Sequence, residues 1–409
     1  MSLILYRGTP PWLATDNATA PYPAVTRDIE AEVGVIGAGI TGALVAHRLA
    51  NEGIAAVIID RRPPASGSTL ASTALLSYEM DVHLADLISR FGEKDATRVY
   101  QLGRESISKL EEVSRDVGGG VDFAWRPCFF LARTEDDASD LRREYEARRT
   151  HGFRVELLAR PDIERQFPFS RPAATRTPEA AEVDPVKLTR AALAFAAKRG
   201  AEIYTDVIEG FRRNRDHVIL ETAGGHRITC RQVVLATGYE TKQFLDIPEA
   251  RLTSTYVLAT DPIADIPGWP DRAMICEAGT PYTYMRRTAD NRVLIGGEDE
   301  DFADPERMKQ ALPSKVVRLE GMLCEMFPAA DFTIQSAWAG VFSSTVDGLP
   351  FIGTHPRFPG ALFALGYGGN GITFAAIAAE IIRDAIVGRA NSDARLFRFG
   401  RSPARRPIA

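Results

Sequence analysis

Six residues, Gly37-Ala-Gly-Ile-Thr-Gly42, constrain what this chain can fold into more than any other stretch of it. Val33-Gly-Val-Ile36 precedes them, a short apolar run of the kind buried in a parallel sheet. Ala43 to Asn51 follows with helical spacing, and Gly53 ends that helix. Ala55 to Ile59 is a second apolar run, closing on Asp60. Strand, turn, helix and strand make a complete βαβ unit. Each glycine of the turn has its own task. Gly37 permits the tight turn, Gly39 lets the backbone approach a pyrophosphate, and Gly42 lets helix and strand pack closely. The helix start at Ile40 and Thr41 adds free N–H groups and a partial positive charge. Asp60, 18 residues past Gly42, is placed to accept hydrogen bonds from ribose hydroxyls, with Arg61 beside it. A lone G-x-G-x-x-G says little; with this strand, helix and acidic residue around it, the motif specifies a dinucleotide site.

The rest of the chain interleaves two kinds of segment. Helical spacing predicts helices over 84–117, 135–150, 184–199, 306–326 and 372–387. Strands are predicted over 123–131, 201–205, 227–235, 252–260, 282–287 and 292–295. Nucleotide-type segments at 29–105, 181–245 and 338–390 alternate with strand-rich ones at 106–180 and 246–337. The fold class is therefore α/β, a Rossmann-like domain carrying a discontinuous antiparallel-sheet domain. Residues 1–28, rich in Pro, are expected as an extended lead-in, and the Arg-rich residues 391–409 as a solvated basic tail.

Composition excludes several functions. Across 409 residues, 45% hydrophobic and 25% charged is ordinary globular usage, which rules out collagen, coiled coil or disorder for the whole chain. A net charge of −5 leaves no footprint for nucleic acid. Cys128, Cys230, Cys276 and Cys324 are far apart, so neither a disulfide framework nor a metal site is expected. No apolar run is long enough to span a membrane, and Met1 to Ala20 lacks the apolar core of a signal peptide. A cytoplasmic location is expected.

Further segments narrow the dinucleotide. Ala65 to Leu75 is a loop of small and hydroxylated residues, which lets backbone lie against a flat ring. Val233-Val-Leu-Ala-Thr-Gly238, Trp338 to Gly353 and Gly366-Tyr-Gly-Gly-Asn-Gly-Ile372 follow later. A nicotinamide dehydrogenase has no evident use for the last two. With Val33 to Asp60, these segments resemble the D-amino-acid oxidase-like family of FAD-dependent oxidoreductases over about residues 30–390. Tyr282 to Gly297 looks closest to the γ-glutamylputrescine oxidoreductase branch. The resemblance implies a glutathione-reductase-type FAD domain and hydride transfer from the C–H next to an amine nitrogen to flavin N5, giving an imine. The partners would be a small-molecule amine or amino-acid derivative and oxygen or another electron acceptor.

Residue by residue, the resemblance gives Gly37, Gly39, Ile40, Thr41, Gly42, Asp60 and Arg61 to the nucleotide. It puts Ser68, Thr69, Ser72, Thr73, Ala74 and Leu75 along the cofactor, with the loop from Ser72 to Leu75 near N5. Val207 lies against adenine, and Ala236, Thr237 and Gly238 complete the cradle. Gly340 faces the ring, and Gly368, Gly369, Asn370, Gly371 and Ile372 hold its pyrimidine end, where a helix N-terminus stabilises negative charge at N1–O2.

Departures from the family are informative. Members with cysteine-linked flavin carry the Cys where this chain has Gly340, and histidine-linked members carry the His where it has Ala71. Non-covalent FAD is therefore expected. Members that oxidise small α-amino acids use an Arg at the places held here by Phe342 or Gly369, so a substrate carboxylate loses its bidentate partner. The oxygen-activating lysine of sarcosine-oxidase-type members falls on Leu294. Glu79, Tyr284, Arg286, Trp338, Phe342 and Tyr367 are the candidates for substrate contact, each weighed against ordinary core or surface duty. No catalytic base is identified. Two other classes stay open: a flavoprotein subunit or electron carrier without its own pocket, and an NAD-linked dehydrogenase.

Overall fold

A computed structural model describes residues 3–13, 22–245, 250–279 and 282–401. Two sheets carry the fold. The first has eight strands, six of them in the order Phe351–Thr354, Ala361–Leu365, Arg227–Leu235, Ile29–Ile36, Ala56–Asp60, Glu202–Thr205. The pairings from Ala361–Leu365 through to Glu202–Thr205 are all parallel. The hairpin Ile208–Asn214 with His217–Thr222 attaches to Arg227–Leu235 in antiparallel fashion. Val33, Val35, Ile58 and Val234 face helices Ile40–Asn51, Pro185–Ala197 and Gly371–Ile386 on one side. Ile36, Val57, Ile59, Val233 and Leu235 pack into a second core on the other. Burial on both faces is why these strands read as unbroken apolar runs.

The ten-stranded second sheet is mostly antiparallel. Nine strands run in the order Tyr6–Gly8, Ile334–Thr345, Ala250–Thr260, Val293–Glu300, Thr283–Arg287, Met274–Glu277, Ala124–Leu131, Ala173–Glu182, Leu75–Leu76, and Glu156–Ala159 pairs with Ala173–Glu182. Helix Pro305–Met326, capped by the Asp304 side chain on the Arg307 N–H, covers one face through Met308, Leu319 and Leu323.

Several expectations change. The helix predicted over 84–117 is two, Leu84–Phe91 and Glu93–Asp116, because Gly92 takes a φ of +82° and turns the chain between them. Residues 6–8 of the expected lead-in form a strand paired with Ala339 and Gly340, and Trp12 is buried. Part of the expected basic tail is packed: Leu396 and Phe397 are buried, and Arg395 and Arg401 pair with Asp95 and Asp347. Residues 402–409 of that tail lie outside the described residues. Strand Ile334–Thr345 belongs to the second sheet throughout, so no seam falls at residue 338.

Candidate active site

The parallel strands Ile29–Ile36, Ala56–Asp60, Arg227–Leu235 and Ala361–Leu365 end on the same side of their sheet, where open α/β sheets bind ligands. A cavity of about 850 Å³ opens there and runs under the second sheet. That is within the usual range of ligand sites. At its nucleotide end the chain is fixed by glycine. Gly37 has a φ of +115°, and a Cβ on it would lie 2.3 Å from the Ala236 carbonyl oxygen. A Cβ on Gly42 would lie 1.9 Å from the Gly37 oxygen, so helix and turn touch only because none is there. Asp60 Oδ2 accepts from the Ala38 N–H at 2.8 Å, and Oδ1 accepts from the Arg62 N–H at 2.9 Å. Its carboxylate thereby holds the glycine turn and keeps lone pairs for a further donor. The Ile40 N–H donates to Thr69 Oγ1 at 3.0 Å, which ties the small-residue loop to the helix start. Arg61 and Arg62 both pair with Glu240.

The loop from Ala71 to Thr73 is pinned from behind. Trp338 Nε1 donates to the Ala71 oxygen at 2.8 Å, Trp12 Nε1 to the Ser72 oxygen at 2.9 Å, and Arg286 Nε to the Thr73 oxygen at 2.6 Å. Across from it, a Cβ on Gly340 would lie 3.3 Å from Ala71 Cβ. At the far end Asn370 Nδ2 donates to the Ser77 and Glu79 oxygens, and Gly368 N–H to the Ser343 oxygen. Helix Gly371–Ile386 starts there with no side-chain cap.

Every expected cofactor residue lines this cavity except Gly42, which serves helix packing behind it. Glu79, Tyr284, Phe342 and Tyr367 line it too. Two expected substrate contacts do not. Arg286 is 2% exposed and spends its guanidinium on Thr73, Val183 and Glu182. Trp338 is fully buried among Leu70, Val257 and Leu294. Both work on the loop from outside. Glu79 needs a correction of a different kind: its carboxylate is neither at the surface nor free for an amine, because Arg148 holds it.

The structure adds residues that the sequence did not single out. Asp81, Tyr239, Thr255, Cys276, Tyr282 and Asp299 all line the same cavity. Asp81 Oδ2 accepts from the Gly369 N–H at 2.7 Å. Depth in the molecule pushes its pKa up although its side chain opens onto the cavity, and the Gly369 N–H acts the other way. Burial likewise raises the Tyr239, Tyr282 and Tyr284 hydroxyls, which stay neutral. Tyr367 is raised by burial as well, with its hydroxyl toward Thr41. Glu79 and Asp81 follow the small-residue loop directly, and that adjacency was the signal for Asp81. Asp299 sits in Glu298-Asp-Glu-Asp301, an acidic run that reads as a solvated face.

A parallel-sheet glycine turn, an acidic residue at the next strand end and a second sheet roofing a long cavity fit a flavin-dependent oxidoreductase. The chain belongs to the FAD dependent oxidoreductase family (DAO), whose model matches residues 32–385. It is 22% identical over 389 residues to a putative Rieske 2Fe-2S iron-sulfur protein, YhfW, of Bacillus subtilis, spanning 92% of this chain and 72% of that protein. It is 24% identical over 366 residues to glycine oxidase of Geobacillus kaustophilus, spanning 87% and 92%. The crystal structure of L-proline dehydrogenase from P. horikoshii superposes with a TM-score of 0.76 at 20% identity, covering 91% of this chain and 97% of that one. Membership sets aside the NAD-linked reading. The cofactor is FAD, held non-covalently, since Gly340 and Ala71 offer no atom for a link. Asp60 and the glycine turn would hold its adenosine and pyrophosphate, and the turn at Gly368–Gly371 its pyrimidine end. No helix among the described residues is long and apolar enough to cross a membrane.

Proposed function

We propose that this oxidoreductase acts on an amine that enters as a cation and has no carboxylate beside the reacting carbon. One observation carries the proposal. At Gly369, where the family resemblance expects an arginine for a substrate carboxylate, a Cβ would lie 2.6 Å from Asp81 Oδ1. A carboxylate thus occupies the space in which that cation would stand. The charge of the whole region agrees. Among the described residues lining the cavity, the only Lys or Arg side chains are Arg61 and Arg62, both engaged with Glu240 at the nucleotide end. The other end presents Asp81, Asp299 and Asp301 with Tyr239, Tyr282 and Tyr284. Carboxylates and tyrosine faces attract an ammonium and repel an amino acid's carboxylate.

Bound FAD supplies the sink for the hydride that leaves the carbon next to nitrogen. The protein's part is to bind and orient the amine. Phe342 and Tyr284 form walls of the cavity, and Asp81 draws in the charge. Leu294, at the place of the oxygen-activating lysine, is fully buried in one apolar cluster with Trp12 and Trp338. An electron acceptor other than oxygen is part of the proposal, and so is a reducing compartment, which the four free cysteines fit.

Anaerobic bleaching of the flavin tests it. Butylamine, putrescine and γ-glutamylputrescine are compared with glycine, sarcosine, D-alanine and L-proline. The amines should bleach faster, and reoxidation in air should be slow. Fastest bleaching by one of the four amino acids would overturn the assignment.

A further inference from the structure

The strand Val293–Glu300 does not run evenly into the cavity wall. Ser254 faces Glu300 and Tyr256 faces Gly297, so Glu298 and Asp299 stand opposite the single residue Thr255. This is a β-bulge, with Glu298 at a φ of +60°, a conformation that is strained for a non-glycine residue and persists only where neighbours hold it. The neighbours are present. Glu298 is buried, its carboxylate accepts from Arg318 Nε at 2.7 Å, and Lys315 Nζ donates to its backbone oxygen at 2.9 Å. Lys315 also reaches Glu300 at 3.5 Å, so it grips both sides of Asp299. The bulge turns Asp299 to the cavity, while Glu298 points back into protein.

From this geometry we infer that Asp299 is the catalytic residue that takes the proton from the substrate ammonium before hydride leaves. The inference rests on the cationic-amine proposal. An ammonium has no lone pair with which to form a C=N bond, so its N–H bond must break first. Its proton passes to an Asp299 oxygen, leaving a neutral amine and a protonated carboxyl. Bound FAD would supply the oxidant that accepts the C–H bonding pair as hydride, and the nitrogen lone pair then closes the iminium. Carbon is oxidised, flavin is reduced, and the Asp299 proton returns to water through the cavity.

The groups facing Asp299 suit it to this task. Thr255 stands opposite it on the paired strand and favours its ionised form, and the Thr255 hydroxyl lies 3.2 Å from the Tyr284 hydroxyl on another strand. Asp81 acts from across the cavity, Glu298 from its own strand and Lys315 from the helix behind. Although the Asp299 side chain opens onto the cavity, its depth in the molecule is the main cause that pushes the carboxyl up to about 6, with the Asp81 charge adding and Thr255 and Lys315 opposing. A base poised there is ionised near neutrality yet basic enough to hold a proton.

The test uses the holoenzyme with butylamine and with tert-butylamine, whose carbon next to nitrogen has no hydrogen to give. Flavin reduction by butylamine in wild type should rise with pH through an ionisation near 6. Asp299→Asn should lose that limb and slow reduction by about 10²-fold near neutrality. The deficit should shrink toward pH ~10, where the amine arrives neutral. Asp299→Glu should restore part of the rate if the asparagine variant folds poorly. Binding of tert-butylamine, read as a shift of the flavin spectrum, should weaken below pH ~6 in wild type and lose that dependence in Asp299→Asn. An unchanged pH limb, or equal binding by Asp299→Asn, would overturn the role of Asp299 while leaving the amine proposal standing. If no amine reduces or perturbs the flavin, the amine proposal falls, and the role of Asp299 falls with it.

Discussion

Arg286 Nε donates to the carbonyl oxygen of Thr73 at 2.6 Å, across 213 residues of sequence. The same guanidinium meets Glu182 at 3.3 Å and the Val183 oxygen at 3.0 Å, so one side chain links the flavin loop to the second sheet. Burial lowers its pKa and Glu182 raises it again. Arg286→Ala should destabilise the protein by roughly 1–3 kcal/mol, because it leaves the Thr73 and Val183 oxygens without their donor while Glu182 keeps Arg126. The melting temperature should fall and FAD should be retained less well. A change confined to the KM of the amine would contradict this and return Arg286 to the substrate.

Asp60 does two jobs in the structure, holding the Ala38 and Arg62 N–H groups and presenting its carboxylate to the cavity. Asp60→Ala is expected to weaken FAD binding by roughly 1.5–3 kcal/mol, the scale of hydrogen bonds to a charged group. Titration of the apoprotein with FAD measures it, and an unchanged dissociation constant would refute the assignment.

Acid precipitation offers a direct check on the cofactor link. Gly340 and Ala71 lie against each other in the cavity wall, and neither carries a thiol or an imidazole. All flavin should appear in the supernatant. Yellow colour retained in the washed pellet would mean a covalent bond at some other residue.

His47 makes stability depend on pH. It is fully buried against Phe195, and burial, aided by Arg48, lowers its pKa from 6.5 to about 4. Between those values the unfolded chain binds a proton that the folded chain refuses, so stability must fall as pH falls from 6.5 toward 4. His47→Gln should flatten that part of the curve of unfolding free energy against pH. If urea midpoints of the variant keep the wild-type slope there, other groups are responsible.

The cofactor cradle was legible in the sequence because its parts are local. Gly37, Gly39, Asp60 and the small residues after it lie within some forty positions. Their task is set by backbone conformation, which glycine and strand periodicity announce directly. The substrate end had no such grammar. Trp338 and Arg286 lie on strands whose neighbours come from distant segments, and pairing turned both behind the loop rather than onto the cavity. Asp81 is significant only because folding sets it against Gly369, 288 residues away. Asp299 faces the cavity only because Thr255 stands opposite two residues in place of one. A one-residue bulge reverses which side chain points inward, and an acidic run carries no mark of it. A dinucleotide-binding βαβ frame can be read from the chain alone, since that frame follows from local backbone geometry. Which charges line the cavity follows from the tertiary structure, since strand register and long-range packing alone bring those carboxylates together.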